Sequence, residues 1–461
     1  MAVLRISTPP VLWGEQMHIA LRRESLVLCL GDILFLFTAL WLTLFVRYAT
    51  PPSVDFFYAH LVPFSALFGL SIVVFFIAGL YEKHTLLFKS TLPQTVFYTQ
   101  LTNILVAALI FFLIPYFGIQ PKTNLVIYLV LSTALVTIWR LYLFPALRIG
   151  RVQKALLIGS GAEVDEVLHE INGNNRYAIR FTKAVPVPSS ESQIIDVGRQ
   201  ALSDGVSVIV LPFSLVGFPL TMPEWRKGVD NKAKFIDTSL LYEDLFDRVP
   251  LAVVTERWLP AGFLRTNSTL YSFFKRLMDI SISLALLIVL SPIIIVVTLV
   301  SQRGGGAFIF QKRIGQHGKE IRIIKFRTML FDDAGDPEKQ KLNRVTRIGR
   351  FLRKTQIDEI PQFINVLRGD LSLIGPRPEI PVLVDEYEKA IPFYGMRHMI
   401  PPGISGWAQI KHASPPKFRL DIERTREKLS YDLYYVKHRS FMTDLSVALQ
   451  TIKILLSRTG S

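Results

Sequence analysis

Four long apolar runs open the chain, near 25–47, 59–80, 95–117 and 123–146, each about the 20 residues a helix needs to cross a bilayer. Basic residues between them sort to alternate sides. Arg22 and Arg23 precede the first run, Lys83 and Lys89 come after the second, and Arg148, Arg151 and Lys154 after the fourth, while the other connections carry only Arg47 and Lys122. That asymmetry predicts a four-helix membrane unit over 25–147, with the leading segment 1–24 and both ends cytoplasmic. The first run is too long, and too poor in a small-residue cleavage site, for a cleaved signal peptide. Asp32 and Arg140 fall inside apolar runs, where charge is costly and normally faces a bundle interior, so they read as a packing pair.

The pattern changes after residue 152. KALLIGSGA (154–162) reads as a buried strand, a glycine turn and a helix start, and VSVIVLP (206–212) and KFIDTS (234–239) read as further buried strands. Strands alternating with helical stretches predict a parallel, doubly wound sheet, an α/β Rossmann-like domain over 152–262. Gly159 and Gly161 fit part of a dinucleotide fingerprint, but Val164 holds the third glycine position and no acidic ribose partner is clear. The incomplete fingerprint favours a structural or regulatory module over a nucleotide site.

A third unit, 270–461, starts with the apolar stretch 275–300, broken near its middle by Ser291-Pro292. Proline removes a helical hydrogen bond and crowds the preceding turn, so a kink is expected there. Lys275 and Arg276 stand at its start, and Arg303, Lys312 and Arg313 beyond its end. Basic flanks on both sides place both on the cytoplasmic face, which a straight span cannot do. A re-entrant membrane helix satisfies both flanks. Residues 307–329 alternate like a hairpin around Gly315-Gln316-His317-Gly318 and deliver Lys325 and Arg327 towards the acidic pair further along the chain. Arg347, Arg350 and Lys354 recur at near-helical spacing, with Ile348, Phe351 and Leu352 opposite.

This basic face leads into two adjacent carboxylates, Asp358 and Glu359, framed by Arg350, Arg353 and Lys354 before and Arg368 and Arg377 after. Pro361 and Gly369 bracket a short helix, which puts the acids at or just before its N-terminus. Acids to hold a cation and bases to hold phosphates are what a metal-dependent phosphate site requires. A salt-bridged surface is the alternative, and the other unusual features of the stretch argue against it. After Glu379, residues 401–410 form a rigid proline–glycine turn, and 416–438 and 441–457 read as amphipathic helices, the last suited to a membrane interface.

Composition narrows the classes. Half of the 461 residues are hydrophobic, too many for a typical soluble protein. The net charge of +15 suits anionic headgroups or sugar nucleotides. It accompanies membrane segments and no recognisable nucleic-acid-binding module, so no nucleic-acid partner is expected. The single cysteine, Cys29, allows neither an intrachain disulfide framework nor a Cys/His zinc cluster.

KFRTM (325–329), TRIGRFLRKTQIDEIPQFINVLRGDLSLIGPRPE (346–379), PPGISGWAQ (401–409) and the Ser-Pro-broken helix together resemble the bacterial polyprenyl-phosphate sugar-1-phosphate transferases, the monotopic phosphoglycosyl transferases. The resemblance covers about 270 to the C-terminus, in order and with compatible spacing. The four spans and the degenerate Rossmann-like unit resemble, less specifically, the long subfamily that includes undecaprenyl-phosphate glucose- and galactose-phosphate transferases. It implies an α-rich α/β monotopic catalytic domain at the inner membrane, its catalytic face cytoplasmic. There a sugar-1-phosphate passes from a UDP-sugar to undecaprenyl phosphate, starting a surface glycan such as O-antigen, capsule or exopolysaccharide.

By the same resemblance Asp358 matches the nucleophile that attacks the β-phosphate, expelling UMP and forming a sugar-phosphoryl-aspartate. Surrounding bases are expected to keep it ionised. Glu359 matches the ligand of a Mg²⁺ cofactor. Arg353 and Arg377 match arginines near the phosphates, with Lys325, Arg327 and Arg350 as further contacts. Asp432 matches a recurring acid and is read as structural, holding the C-terminal helices. The implied partners are a UDP-sugar, undecaprenyl phosphate and the bilayer, with a homodimer kept as an option. Two other classes compete: a membrane-anchored nucleotide-sensing scaffold, and a membrane sugar-nucleotide dehydratase or epimerase. The latter needs a full-length NAD domain with a complete fingerprint and a Tyr-x-x-x-Lys pair, for which 152–262 is short.

Overall fold

A computed structural model describes residues 15–81, 92–113, 122–147, 152–174, 177, 179–212, 215, 234–253, 269–301, 306–329, 344–412 and 421–457. The chain divides into two compact units, Met1–Leu245 and Phe246–Ser461.

In the first unit the apolar runs form helices α1 (Glu15–Tyr48), α2 (Val54–Ile77), α3 (Leu92–Leu113) and α4 (Lys122–Ile138). The last continues through a π-helical turn, Trp139–Leu143, into α5 (Phe144–Leu147). Leu36, Leu40, Leu44, Phe64, Phe75, Val96 and Val136 fill the space between them. Among the described residues two segments are by themselves long and apolar enough to cross a membrane, Leu26–Tyr48 and Asn124–Leu143. The number rises to four if the bent pairs Val54–Ser65 with Leu67–Ile77 and Leu270–Val289 with Ser291–Ser301 each count as one span.

Asp32 and Arg140 do pair. Both side chains are fully buried, Arg140 Nε donates to Asp32 Oδ1 at 3.0 Å, and Nη2 bonds Oδ2. Tyr81 Oη donates to the same carboxylate at 2.7 Å, and Arg140 Nη1 caps the Leu80 carbonyl at 2.7 Å. The π-helical turn carries Trp139 hard against Gly31, where a Cβ would lie 2.0 Å from the indole. Only glycine allows that approach.

The α/β part holds a four-stranded parallel sheet, ordered β2-β1-β3-β4. Its strands are β1 (Gln153–Ile158), β2 (Ile179–Val185), β3 (Val208–Leu211) and β4 (Lys234–Asp237), with α6 (Ala162–Gly173), α7 (Glu191–Ser203) and α8 (Thr238–Phe246). In this order β1 lies between β2 and β3, so the strand order reverses direction at β1. Gly161 stands before α6 with φ 115°, a conformation that suits the tight turn expected after β1. The segment 246–253, grouped by sequence with this domain, packs in the second unit: Val249 N–H donates to the Ser430 carbonyl, and Trp407 Nε1 to that of Asp247.

The second unit opens with α9 (Thr269–Val289) and α10 (Ser291–Ser301), bent by 61°. Ser291 Oγ donates to the Ile288 carbonyl at 2.7 Å, and Pro292 sits in the first turn of α10, where its missing N–H does no harm. The hairpin forms as read, β5 (Phe308–Ile314) against β6 (Glu320–Phe326) around the turn Gln316–Gly318. Helix α11 (Arg347–Lys354) comes next, then a 3₁₀ turn at Ile357–Glu359 and α12 (Gln362–Arg368), which ends on Gly369 at φ 94°. Strand β7 (Ser372–Ile374), α13 (Pro381–Ala390), β8 (Gly403–Ser405), α14 (Trp407–Lys411), α15 (Ile422–His438) and α16 (Phe441–Ser457) complete it.

The core of this unit lies between α13, α15 and the hairpin, around Tyr387, Tyr394, Leu429 and Leu433. Strands β7 and β8 pair in parallel, and a Cβ on Gly403 would sit 2.1 Å from the Gly375 nitrogen. The GPRP and PPGISG stretches therefore meet backbone to backbone, which fixes the segment that carries Arg377.

Candidate active site

Asp358 and Glu359 occupy the 3₁₀ turn between α11 and α12. Gln356, at φ 54° in the left-handed region, turns the chain sharply enough to present both carboxylates. The hairpin brings Lys325, and the Pro376–Pro378 segment brings Arg377. Each donates to Glu359 Oε1 at 2.7 Å. Burial alone would raise the pKa of Glu359; Arg377 and Lys325 outweigh it and hold the carboxyl down at about 2. Glu359 is therefore an anion across the physiological range.

Asp358 is half-buried and differently placed. Among the described residues no side chain donates a hydrogen bond to it. Burial and the adjacent Glu359 raise its pKa, while Lys325 and Arg353 act through space in the opposite direction. The bases moderate the rise without cancelling it, so the net shift runs upward. A carboxylate that is short of donors retains its lone pairs for another electrophile.

Arg353 is set by its own turn. Thr346 caps α11 by accepting from Gly349 N–H at 2.8 Å, and a Cβ on Gly349 would meet the Thr328 carbonyl at 2.0 Å. That close approach lays α11 on the end of β6, and Arg353 Nε donates to Thr328 Oγ1 at 2.8 Å. Asn365 of α12 pins β6 from the other side: its Oδ1 accepts from Ile324 N–H at 2.9 Å and its Nδ2 donates to the Arg322 carbonyl at 2.7 Å. Lys325 thus projects from a strand held on both flanks.

Helix α9 is bonded to the same assembly. Arg276 caps α12 by donating to the Val366 and Leu367 carbonyls at 2.6 and 2.9 Å. Asp279 accepts from Ser372 Oγ at 2.7 Å, and Lys275 pairs with Asp444 of α16 at 3.0 Å.

Of the residues singled out by sequence, Asp358, Glu359, Lys325, Arg353 and Arg377 are brought together. Arg350 is exposed and Arg327 half-buried, and among the described residues neither side chain makes a hydrogen bond or ion pair. Ser291 and Pro292 mark the bend. Asp432 is buried and binds Arg397 through Nε at 3.0 Å and Nη2 at 2.7 Å. Arg397 is not legible in the sequence as a site residue, nor are Glu379, which pairs with Lys428, and Asn365.

The donor set fits a divalent cation. Glu359 Oε1 is engaged by two cations, which leaves Glu359 Oε2 and the Asp358 carboxylate without side-chain donors among the described residues. That suits Mg²⁺, which binds through one or two carboxylates and fills its shell with phosphate and water. Among the described residues no group of three or more His, Cys, Asp or Glu could hold a metal by itself.

Residues 270–458 match the family model described as bacterial sugar transferase. The chain is 40% identical over 205 residues to the UDP-N-acetylgalactosamine-undecaprenyl-phosphate N-acetylgalactosaminephosphotransferase of Aeromonas hydrophila, covering 42% of this chain and 46% of that one. It is 40% identical over 184 residues to the UDP-glucose:undecaprenyl-phosphate glucose-1-phosphate transferase of Klebsiella pneumoniae, covering 39% of each. To the enzyme of that name from Caulobacter vibrioides it is 35% identical over 188 residues, which cover 40% of this chain and 70% of the relative. The match thus spans less than half the length of the first two relatives. On the strength of the third, the chain belongs to the bacterial sugar transferase family.

Proposed function

We propose that the protein transfers a sugar-1-phosphate from a UDP-sugar to undecaprenyl phosphate, releasing UMP and forming an undecaprenyl-diphospho-sugar. Asp358 attacks the β-phosphorus, the bond from that phosphorus to the bridging oxygen breaks, and UMP leaves with that oxygen. A phosphate oxygen of the lipid then attacks the same phosphorus and displaces the Asp358 carboxylate. Splitting the transfer in this way divides one difficult displacement into two easier ones. The observation that carries the reading is the contrast within the acid pair: Glu359 is bonded to Lys325 and Arg377, and Asp358 is left without a side-chain donor among the described residues.

Arg377 and Arg353 bind and orient phosphate oxygens through planar forks, as phosphoryl transfer by positioning and charge neutralisation requires. Bound at Glu359, Mg²⁺ would supply neutralisation of the diphosphate charge. Helices α9 and α10 form a re-entrant element on the cytoplasmic face of the inner membrane. Support comes from both of its ends: Lys275 and Arg276 bond to α16 and α12, and beyond α10 the Ala307 carbonyl accepts from Arg327 N–H at 2.8 Å. The four N-terminal helices make the chain multi-pass, and the product starts an O-antigen, capsule or exopolysaccharide.

UMP release by the purified full-length protein, measured over a panel of UDP-sugars, tests the reading. Asp358→Asn should lose that release while still binding UDP-sugar. Normal turnover by this variant would overturn the assigned nucleophile, and no release by the wild type from any UDP-sugar would favour a scaffold.

A further inference from the structure

Arg313 enters the sequence reading only as a topological marker beside Lys312, yet its position in the hairpin gives it a second significance. Burial alternates along β5, with Ile309, Gln311 and Arg313 on the more covered face and Phe308, Phe310 and Lys312 exposed. Directly paired residues of antiparallel strands share a face. The register pairs Ile309 with Lys325, Gln311 with Ile323 and Arg313 with Ile321. Arg313 therefore shares the hairpin face that presents Lys325 to Glu359. The next residue anchors this end of the strand to the catalytic segment, because Ile314 N–H donates to the Glu379 carbonyl at 2.9 Å.

What Arg313 lacks is an acid. Its guanidinium donates to Gln311 Oε1 and to the Lys312 carbonyl, each at 3.1 Å, and among the described residues no carboxylate pairs with it. Burial pulls its pKa down, Glu379 pulls it up, Arg377 pushes it down again and Glu359 opposes, so the guanidinium lies within the field of the site. Glu379 is already engaged by Lys428 and Arg397. With Glu379 so taken up, the four cations Lys325, Arg353, Arg377 and Arg313 outnumber the two remaining acids of the site, Asp358 and Glu359. A cation cluster in excess of its acids, with Lys325, Arg377 and Arg313 half-buried, is stabilised by an anion, and guanidinium forks suit phosphate oxygens.

Position selects which phosphate. Arg313 lies four residues along β5 from Ile309, roughly 14 Å at about 3.4 Å per residue, towards the turn and away from the end nearest α10. With α9 and α10 in the membrane as proposed above, a lipid phosphate arrives from the α10 end, whereas a soluble nucleotide can extend towards the turn. We propose that Arg313 is a further diphosphate-binding residue of this site, contacting the UDP-sugar and not the lipid phosphate. The inference rests on the sugar-phosphate transfer proposed above.

Kinetics of UMP release by the full-length protein test it, with UDP-sugar and undecaprenyl phosphate varied separately. Losing a charge-assisted bond to phosphate should raise the KM for UDP-sugar about tenfold or more in Arg313→Gln. The KM for undecaprenyl phosphate should stay within about twofold, and Arg313→Lys should recover part of the loss. A wild-type KM for UDP-sugar in Arg313→Gln, or an equal rise for both substrates, would overturn the proposal. If Arg313→Gln does not fold, Arg313→Lys decides: a selective rise supports the contact and wild-type values refute it. Absence of UMP release by the wild type removes the transfer reading and this inference together; an active wild type with an insensitive variant removes this inference alone.

Discussion

Arg397 donates through Nη2 to the main-chain carbonyl of Arg377 at 2.9 Å. The same guanidinium is held by Asp432 and bonds Tyr394 Oη at 2.9 Å, so α15 reaches the segment that carries Arg377 through one buried side chain. Removing one partner of a buried ion pair leaves an uncompensated charge, at a cost of about 3–5 kcal/mol. Asp432→Asn should therefore lower the thermal unfolding midpoint of the detergent-solubilised protein and reduce UMP release with it. A midpoint equal to the wild type would show that the pair does not hold this segment.

Arg353 depresses the pKa of Asp358 against the rise caused by burial and Glu359. As the proposed nucleophile, Asp358 must be ionised to attack, so the acid limb of the pH–rate profile reports this group. Arg353→Gln removes a depressing charge, and the limb should move to higher pH. Thr328→Val keeps that charge and loses only the 2.8 Å bond that orients it, so its limb should move less. An unmoved limb in Arg353→Gln would separate Arg353 from the ionisation of Asp358.

Burial, reinforced by the charge of Arg397, pushes His398 down to about 4, with Glu379 opposing. Its Nδ1 lies 3.9 Å from Glu388 Oε1, and Tyr394 packs against the ring. The folded state thus binds fewer protons than the unfolded chain between its own pKa and the ordinary histidine value of about 6.5. Stability from this group is present above that value and is lost as pH falls towards the folded-state pKa. The unfolding midpoint of wild type should fall over this window, and His398→Asn should flatten that part of the curve. A variant as steep as the wild type would assign the acid loss to other groups.

How much of this is legible in the sequence depends on the distance over which each signal acts. The apolar runs, the hairpin and the Pro361–Gly369 helix are local patterns, and each appears where its residues put it. The acid pair is contiguous, and Lys325, Arg353 and Arg377 stand in compact motifs. Strand β2 escapes such a reading because only Phe181 in it is buried: it lies at the sheet edge and carries no continuous apolar run. Arg276, Asn365 and Arg397 escape for a different reason. Each acts by bonding a backbone carbonyl far along the chain, Arg276 to Val366 for example, and carbonyls have no residue identity for a motif to record. The upward shift of Asp358 is likewise a product of three-dimensional burial, which a count of neighbouring bases cannot reveal.

The bend between α9 and α10 yields the last prediction. Before it, Lys275 and Arg276 bond to α16 and α12; after it, β5 joins the hairpin that presents Lys325. Both ends are tied to one compact body, so the proposed re-entrant placement puts both on the same side of the bilayer. With Cys29 replaced by serine, single cysteines at Ser272 and Gln311 should both be protected from a membrane-impermeant thiol reagent added outside intact cells, and both should react once the cells are opened. Labelling at Gln311→Cys alone in intact cells would make the 61° pair a crossing helix. It would then place Asp358 outside the membrane, where UDP-sugars are not supplied, and the assignment of the reaction would fall with the topology.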